Sequence, residues 1–193
     1  MDVRALTFEY YGMAKMELEA AKRVSSAAGV REHRVVRLPD LRESGDICRS
    51  VFGRVPSTYI PMRNCIFYSL AASYAEEVGA NCIVGGHNKD DSAVFADAAP
   101  AFFKQLERTL WAGSPRLRKW RTRISLPLSG KTKPQVIRLA ASLRVPLWLT
   151  WCCHRNGSRP CWKCAGCRGR TAAFREAGIT DPLSPAQGKF HKQ

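Results

Sequence analysis

Short apolar runs and amphipathic stretches take turns along this chain. Residues 3–8, 34–38, 81–84, 124–128 and 145–149 are brief runs rich in valine, isoleucine and leucine, the signature of strands. Between them the apolar residues recur every three or four positions. Leu18, Ala21, Val24 and Ala28 predict a helix over residues 14–28, stopped by Gly29. Ile66, Leu70, Tyr74 and Val78 predict a second, with Asn64 as its N-cap and Gly79 as its stop. Pro100 opens a third, carrying Phe102, Phe103, Leu106 and Leu110. Thr132 caps a fourth, with Val136, Ile137, Ala140 and Leu143 on one face, and residues 169–177 form a closing helix before Gly178. The polar stretches 39–56 and 90–100 read as loops, and the tail from Pro182 as frayed. Alternating strand and helix predicts an α/β layer structure, a mostly parallel sheet with helices on both faces. Ligands bind such sheets beyond the carboxyl ends of the strands, here residues 9–12, 57–64, 85–97 and 129–133.

Cysteine spacing adds a second module. Cys161, Cys164 and Cys167 are each separated by two residues, so that backbone turns can aim successive sulfurs at one centre. Cys153 can return across the turn at residues 157–160 as a fourth ligand. Four thiolates in a tetrahedron make a closed structural zinc shell. An iron–sulfur cluster is the soft-ligand competitor, and disulfides are the third option. Cys152 competes with Cys153 for the fourth place, but neighbours in an extended segment point opposite ways, so only one of the two should bind. His154 is at most a reserve ligand, and His33, at a strand start, is read as structural.

Charge and length refine the picture. Lys and Arg number 31 against 16 Asp and Glu, a net charge of +15, which suits nucleotide phosphates, RNA or an acidic partner and is equally the mark of an arginine-rich proteome. The densest basic run, residues 116–123 around Trp120, is either an RNA contact or a solvated face. The 193 residues suffice for one core plus a small module: residues 1–150 as the main domain, 151–182 as the cysteine module with its closing helix, and 183–193 as a tail. No window approaches a membrane span, and the N-terminus reads as a strand rather than a signal peptide, so a cytoplasmic, reducing compartment is expected.

Set in order, the motifs resemble a known family. They are Ala5-Leu-Thr-Phe-Glu-Tyr, Glu17-Leu-Glu-Ala-Ala-Lys, Ser57-Thr-Tyr-Ile-Pro-Met-Arg-Asn, Gly86-His-Asn-Lys-Asp-Asp, Phe95-Ala-Asp97, Thr132-Lys133, Thr150-Trp151 and the four cysteines. The chain resembles the 7-cyano-7-deazaguanine synthase family of the PP-loop ATP pyrophosphatase superfamily. The resemblance implies a Rossmann-like fold of the adenine nucleotide alpha hydrolase type with a C-terminal zinc module. It implies ATP, Mg2+ and structural Zn2+ as cofactors. It also implies ATP-dependent conversion of 7-carboxy-7-deazaguanine and ammonia to the nitrile, a precursor of queuosine and archaeosine in tRNA. On this resemblance Arg63 and Asn64 meet an anion at a helix N-terminus, and Lys133 contacts phosphate at another. Gly85 and Gly86 let a nucleotide approach, and Thr7 and Phe8 flank adenine. Tyr59, Asp91 and Asp97 take the deazaguanine, with Asp97 reading its amino-imino edge. Lys133 and Arg63 are the catalytic candidates, and Cys153, Cys161, Cys164 and Cys167 the metal ligands.

Two departures stand out. Met62 occupies the place where the family usually has glycine before Arg-Asn, and it crowds the loop if that position has positive φ. The family's phosphate loop, Ser-Gly-Gly-x-Asp-Ser, occurs nowhere in these residues. Its strand is internal in such sheets, so without it two half-sheets with unpaired edges are expected. A late gene start, a strand supplied from elsewhere and a decayed paralogue are the three explanations. Two other functions therefore stay open, an inactive paralogue serving as a zinc-containing RNA-binding or assembly module and a related PP-loop enzyme acting on tRNA. A homodimer and tRNA are the open partners.

Overall fold

In the computed structural model, which describes residues 2–44 and 59–185, the first apolar run is strand β1 (Arg4–Tyr10), reaching two residues past its expected end. Helix α1 (Lys15–Ala27) and strand β2 (Glu32–Leu38) follow. β1 and β2 are parallel, in register from Arg4 opposite Glu32 to Tyr10 opposite Leu38, with α1 as the crossover that parallel strands require. Gly29, at φ 65°, turns the chain out of α1 in the left-handed region. Arg4 pairs with Glu32 at 2.8 Å, and His33 Nε2 shares a 2.8 Å hydrogen bond with Thr7 Oγ1, which gives His33 a structural partner on the neighbouring strand. Most of the expected loop 39–56 lies outside the described residues, as do Ser57 and Thr58.

Contacts divide the chain into two units, residues 1–42 with 134–193 and residues 43–133. The second opens with helix α2 (Arg63–Val78), closed by Gly79 at φ 71°. Its N-cap position is Met62, not the expected Asn64, which lies inside the first turn. Its buried face is Asn64, Tyr68, Ala72 and Ala75, whereas Ile66, Leu70, Tyr74 and Val78 are half-buried. A helix apolar on both sides gives periodicity no means of choosing the inner face.

Strand β3 (Cys82–Val84) follows, with Cys82 and Val84 exposed where a buried strand is expected. Residues 90–100 are not a loop. They form helix α3 (Lys89–Val94) and a 3-10 turn at Ala96–Ala98. The cause is a capping box: the Asn88 side chain accepts the N–H groups of Asp90 and Asp91, and the Asp91 side chain accepts that of Asn88. Helices α4 (Pro100–Gly113) and α5 (Pro115–Trp120) lead to strand β4 (Arg123–Ser125), parallel to β3. Tyr68, Phe103 and Leu106 centre this unit's core, packed by Phe67, Phe102, Ile83, Ile124 and Leu126. Burying each large side chain contributes about 1.5–3 kcal/mol.

The chain then returns to the first unit through helix α6 (Lys133–Ser142). The strand expected at 145–149 is a 3-10 turn, Leu147–Leu149, because Pro146 lacks the N–H a strand would need. Helix α7 (Ala165–Ala177) starts four residues earlier than predicted, since the Cys164 side chain caps it by accepting the Cys167 N–H. Arg170 of α7 makes a bidentate pair with Asp181 at 2.8 Å, both nearly buried, and donates to Thr150 Oγ1 at 2.7 Å. Among the described residues the result is a largely helical α/β fold with two two-stranded parallel sheets, β1–β2 and β3–β4. No helix among the described residues is long and apolar enough to cross a membrane.

Candidate active site and metal centre

The four cysteines come together. The sulfurs of Cys153, Cys161, Cys164 and Cys167 all lie within 4.8 Å of one another, with Cys161–Cys167 and Cys153–Cys164 at 4.0 Å. All four are free thiols. A tetrahedral ion with metal–sulfur bonds of about 2.3 Å places its thiolates ~3.8 Å apart. The observed spacing fits one ion. A cluster of several irons puts its thiolates on different metals and spreads them further.

Backbone N–H groups converge on the same sulfurs. Arg155 and Cys161 donate to Cys153, Lys163 and Cys164 donate to Cys161, and Cys167 donates to Cys164, at 3.3–3.5 Å. The donors from Lys163 and Cys164 draw the Cys161 thiol down to about 6, while burial pushes Cys167 up. Cys153 and Cys167 are fully buried.

Local sequence explains this arrangement. The Trp151 indole N–H donates to the Cys153 carbonyl at 2.8 Å and fixes the segment that enters the site. A Cβ at Gly166 would fall on the Cys152 carbonyl oxygen, so the first turn of α7 can approach that closely only as glycine. Neither Cys152 nor His154 belongs to the cluster.

A second group of polar side chains lies in the other unit, at the start of α2. The Asn64 N–H donates to Asp97 Oδ2 at 3.2 Å, and the Asn64 side-chain amide donates to the Asp97 carbonyl at 3.1 Å. His87 stands beside them. Its ring contacts Tyr68 and Phe103 at centroid distances of 5.8 and 4.9 Å. Burial lowers its pKa, the carboxylates of Asp91 and Asp97 oppose that shift, and Arg63 adds to it. Asp91 also faces Lys133, whose Nζ is 3.8 Å from Asp91 Oδ1, while Asp90 Oδ2 accepts the Lys133 N–H at 2.9 Å. Tyr59 lies nearly parallel to Phe95, 9° between planes and 6.4 Å between centroids. Under Gly85 sits the Tyr68 hydroxyl, pushed up to about 12 by burial, and a Cβ there would fall on it.

Asn64 is thus tied to Asp97, and Lys133 to Asp90 and Asp91, while Arg63, Asp91 and Asp97 bear on His87 through their charges. Tyr59 sits by Phe95, and Gly85 and Gly86 lie just after β3. Thr7 and Phe8 lie on β1 in the first unit, with the Thr7 hydroxyl engaged by His33. Nothing in the residue pattern singles out His87, Asp90 or Phe95 as neighbours of these groups. The one usable signal is the Asn88–Asp91 capping-box spacing, which places the acidic pair on a helix start.

Comparison with known proteins identifies the family. The family model "Queuosine biosynthesis protein QueC" matches residues 1–178. The 7-cyano-7-deazaguanine synthase of Oceanobacillus iheyensis is 36% identical over 191 residues, covering 92% of this chain and 84% of that protein. Those of Thermoplasma acidophilum and Trichodesmium erythraeum are each 34% identical over 194 residues, covering 94% and 93% of this chain and 81% and 87% of theirs. With four clustered thiols and the Arg-Asn helix start in place, the chain belongs to the QueC, or 7-cyano-7-deazaguanine synthase, family of the PP-loop superfamily.

Proposed function

We propose that this chain carries out the ATP-dependent, nitrile-forming reaction of its family on 7-carboxy-7-deazaguanine. The observation that carries the reading is Asp97, locked to the start of α2 beside Arg63. A carboxylate accepts from an amino-imino edge such as that of a guanine-like base. Tyr59, stacked on Phe95, can offer one aromatic face to the planar ring.

In the first stage the substrate carboxylate attacks the α-phosphorus of ATP. Pyrophosphate leaves, ammonia displaces AMP, and an amide forms. In the second stage the amide oxygen attacks another ATP. Pyrophosphate leaves, and loss of AMP and protons yields the nitrile. Arg63, the N-terminus of α2 and Lys133 supply positive charge for the phosphates. Lys133 is held by Asp91 until phosphate competes for it. Gly86 faces open space and leaves room for a nucleotide beside the backbone, whereas the Tyr68 hydroxyl fills the corresponding place at Gly85; Mg2+ would accompany ATP. Thr7 and Phe8 remain the candidates for the adenine.

Cys153, Cys161, Cys164 and Cys167 would hold zinc. With all four positions filled by protein, its contribution is to the fold and not to the chemistry. The family's phosphate loop, Ser-Gly-Gly-x-Asp-Ser, does not occur in these 193 residues. Among the described residues β3 pairs only with β4, and its last residue, Val84, is 67% exposed. With that loop present, release of AMP and pyrophosphate should depend on 7-carboxy-7-deazaguanine. Release that is indifferent to this compound, or that responds equally to guanine, would reject the substrate assignment.

A further inference from the structure

The basic run at residues 116–123 has a defined geometry in the second unit. Ser114 caps α5 by accepting the Leu117 N–H, and Leu117, 3% exposed, anchors the helix to the core. Thr122 is also buried and accepts the Trp111 indole N–H at 2.7 Å. These anchors turn Arg116, Arg118, Lys119, Arg121 and Arg123 outward, all exposed. Arg121 closes the helix at φ 49°.

Among the described residues none of the five has a carboxylate within salt-bridge distance. Two acids in the neighbouring elements are engaged elsewhere. Glu76 accepts from the Ser114 hydroxyl, and Glu107 from the Ile124 N–H. Trp120 stands among these cations, 38% exposed, with the Arg116 guanidinium 5.6 Å from its ring centre. Arg123 also borders an open groove of about 620 Å³ with Lys104 on its lining and Phe103, Ile124 and Leu126 among its apolar residues.

We propose that α5 and the turn after it form a binding surface for single-stranded RNA. Five cations with no carboxylate partner among the described residues attract phosphates, and an exposed indole beside a guanidinium is a platform on which an unpaired base stacks. A duplex offers phosphates but no free base face. The surface uses none of the residues assigned to nitrile formation, so it stands apart from the proposed function.

The test is fluorescence anisotropy of a labelled twelve-nucleotide oligouridylate with the full chain, titrated at several salt concentrations. Trp120→Ala should weaken binding roughly tenfold with the salt dependence unchanged, since stacking is lost and charge is kept. The double variant Arg118→Ala/Lys119→Ala should flatten the dependence of log K on log salt by about 0.7 per cation removed. An RNA duplex of equal length and polyglutamate should both bind more weakly than the oligouridylate. Absence of binding, equal affinity for polyglutamate or duplex, or unchanged binding by both variants would overturn the proposal. All substituted side chains are exposed, and circular dichroism of each variant checks that it folds as the parent does.

Discussion

Asp97 and Asn64, 33 residues apart, clasp one another in both directions: the Asp97 carboxylate accepts the Asn64 N–H, and the Asn64 side chain donates to the Asp97 carbonyl. One carboxylate oxygen serves the helix start, and the other has no partner among the described residues. Asp97→Asn keeps an acceptor for Asn64 and removes the charge. Its effect on stability should stay within about 1 kcal/mol, while the KM for 7-carboxy-7-deazaguanine should rise at least ~10-fold, the cost of a lost bidentate contact. Steady-state kinetics beside a denaturant titration separate the two effects. An unchanged KM would remove Asp97 from the substrate site.

The thiol cluster predicts a linked loss of metal and stability. Cys164→Ser should lower bound zinc from one equivalent to near zero, measured by plasma emission. It should also cost about 3 kcal/mol or more, roughly 10 °C in Tm, because metal binding contributes directly to folding. Cys152→Ser should leave metal content unchanged, since Cys152 is outside the cluster. Stoichiometric zinc in the Cys164 variant would contradict the four-thiolate site.

Met62 adopts φ 53° at the N-cap of α2, with its side chain 51% exposed. A non-glycine residue in that region is strained by about 1–2 kcal/mol, and little packing would be lost on its removal. Met62→Gly should therefore stabilise the protein by about 1 kcal/mol in urea. A destabilised variant would show that the Met62 side chain contributes more than its backbone strain costs.

His87 should make stability sensitive to pH. Burial favours its neutral form, so its folded pKa lies below the unfolded value of about 6.5. Its contribution is complete above about pH 6.5. It is lost as pH falls toward the lowered folded pKa, because the unfolded chain takes up a proton that the folded one refuses. Tm measured between pH 7.5 and pH 5.5 should fall less steeply in His87→Phe than in the parent. An identical slope would show that His87 titrates alike in both states.

The residue pattern reveals local order well and long-range contacts poorly. β1, α1 and β2 are legible because each has one clear period and a glycine stop at Gly29. The run at 145–149 misleads because its apolar content reads as a strand while Pro146 withholds a donor. The loop at 90–100 misleads because its polar residues are capping groups of a short helix. For α2, apolar residues on both sides conceal the buried face, which is set by Tyr68 meeting Phe103 at 4.5 Å. The metal centre is legible because two-residue spacing nearly dictates where the sulfurs go. The meeting of Asp97 with Asn64, or of His87 with Asp91 and Arg63, depends on how helices pack and leaves no spacing to read.

The proposed activity is tested most directly by mass spectrometry of the product formed from 7-carboxy-7-deazaguanine, ATP, Mg2+ and ammonium. The assay compares the chain alone with the chain extended through its upstream reading frame. The extended form should yield 7-cyano-7-deazaguanine with two AMP released per nitrile, and Asp97→Ala in that form should abolish it. No nitrile from either form, with zinc bound and the fold intact, would contradict the assignment of this chain as a nitrile-forming enzyme.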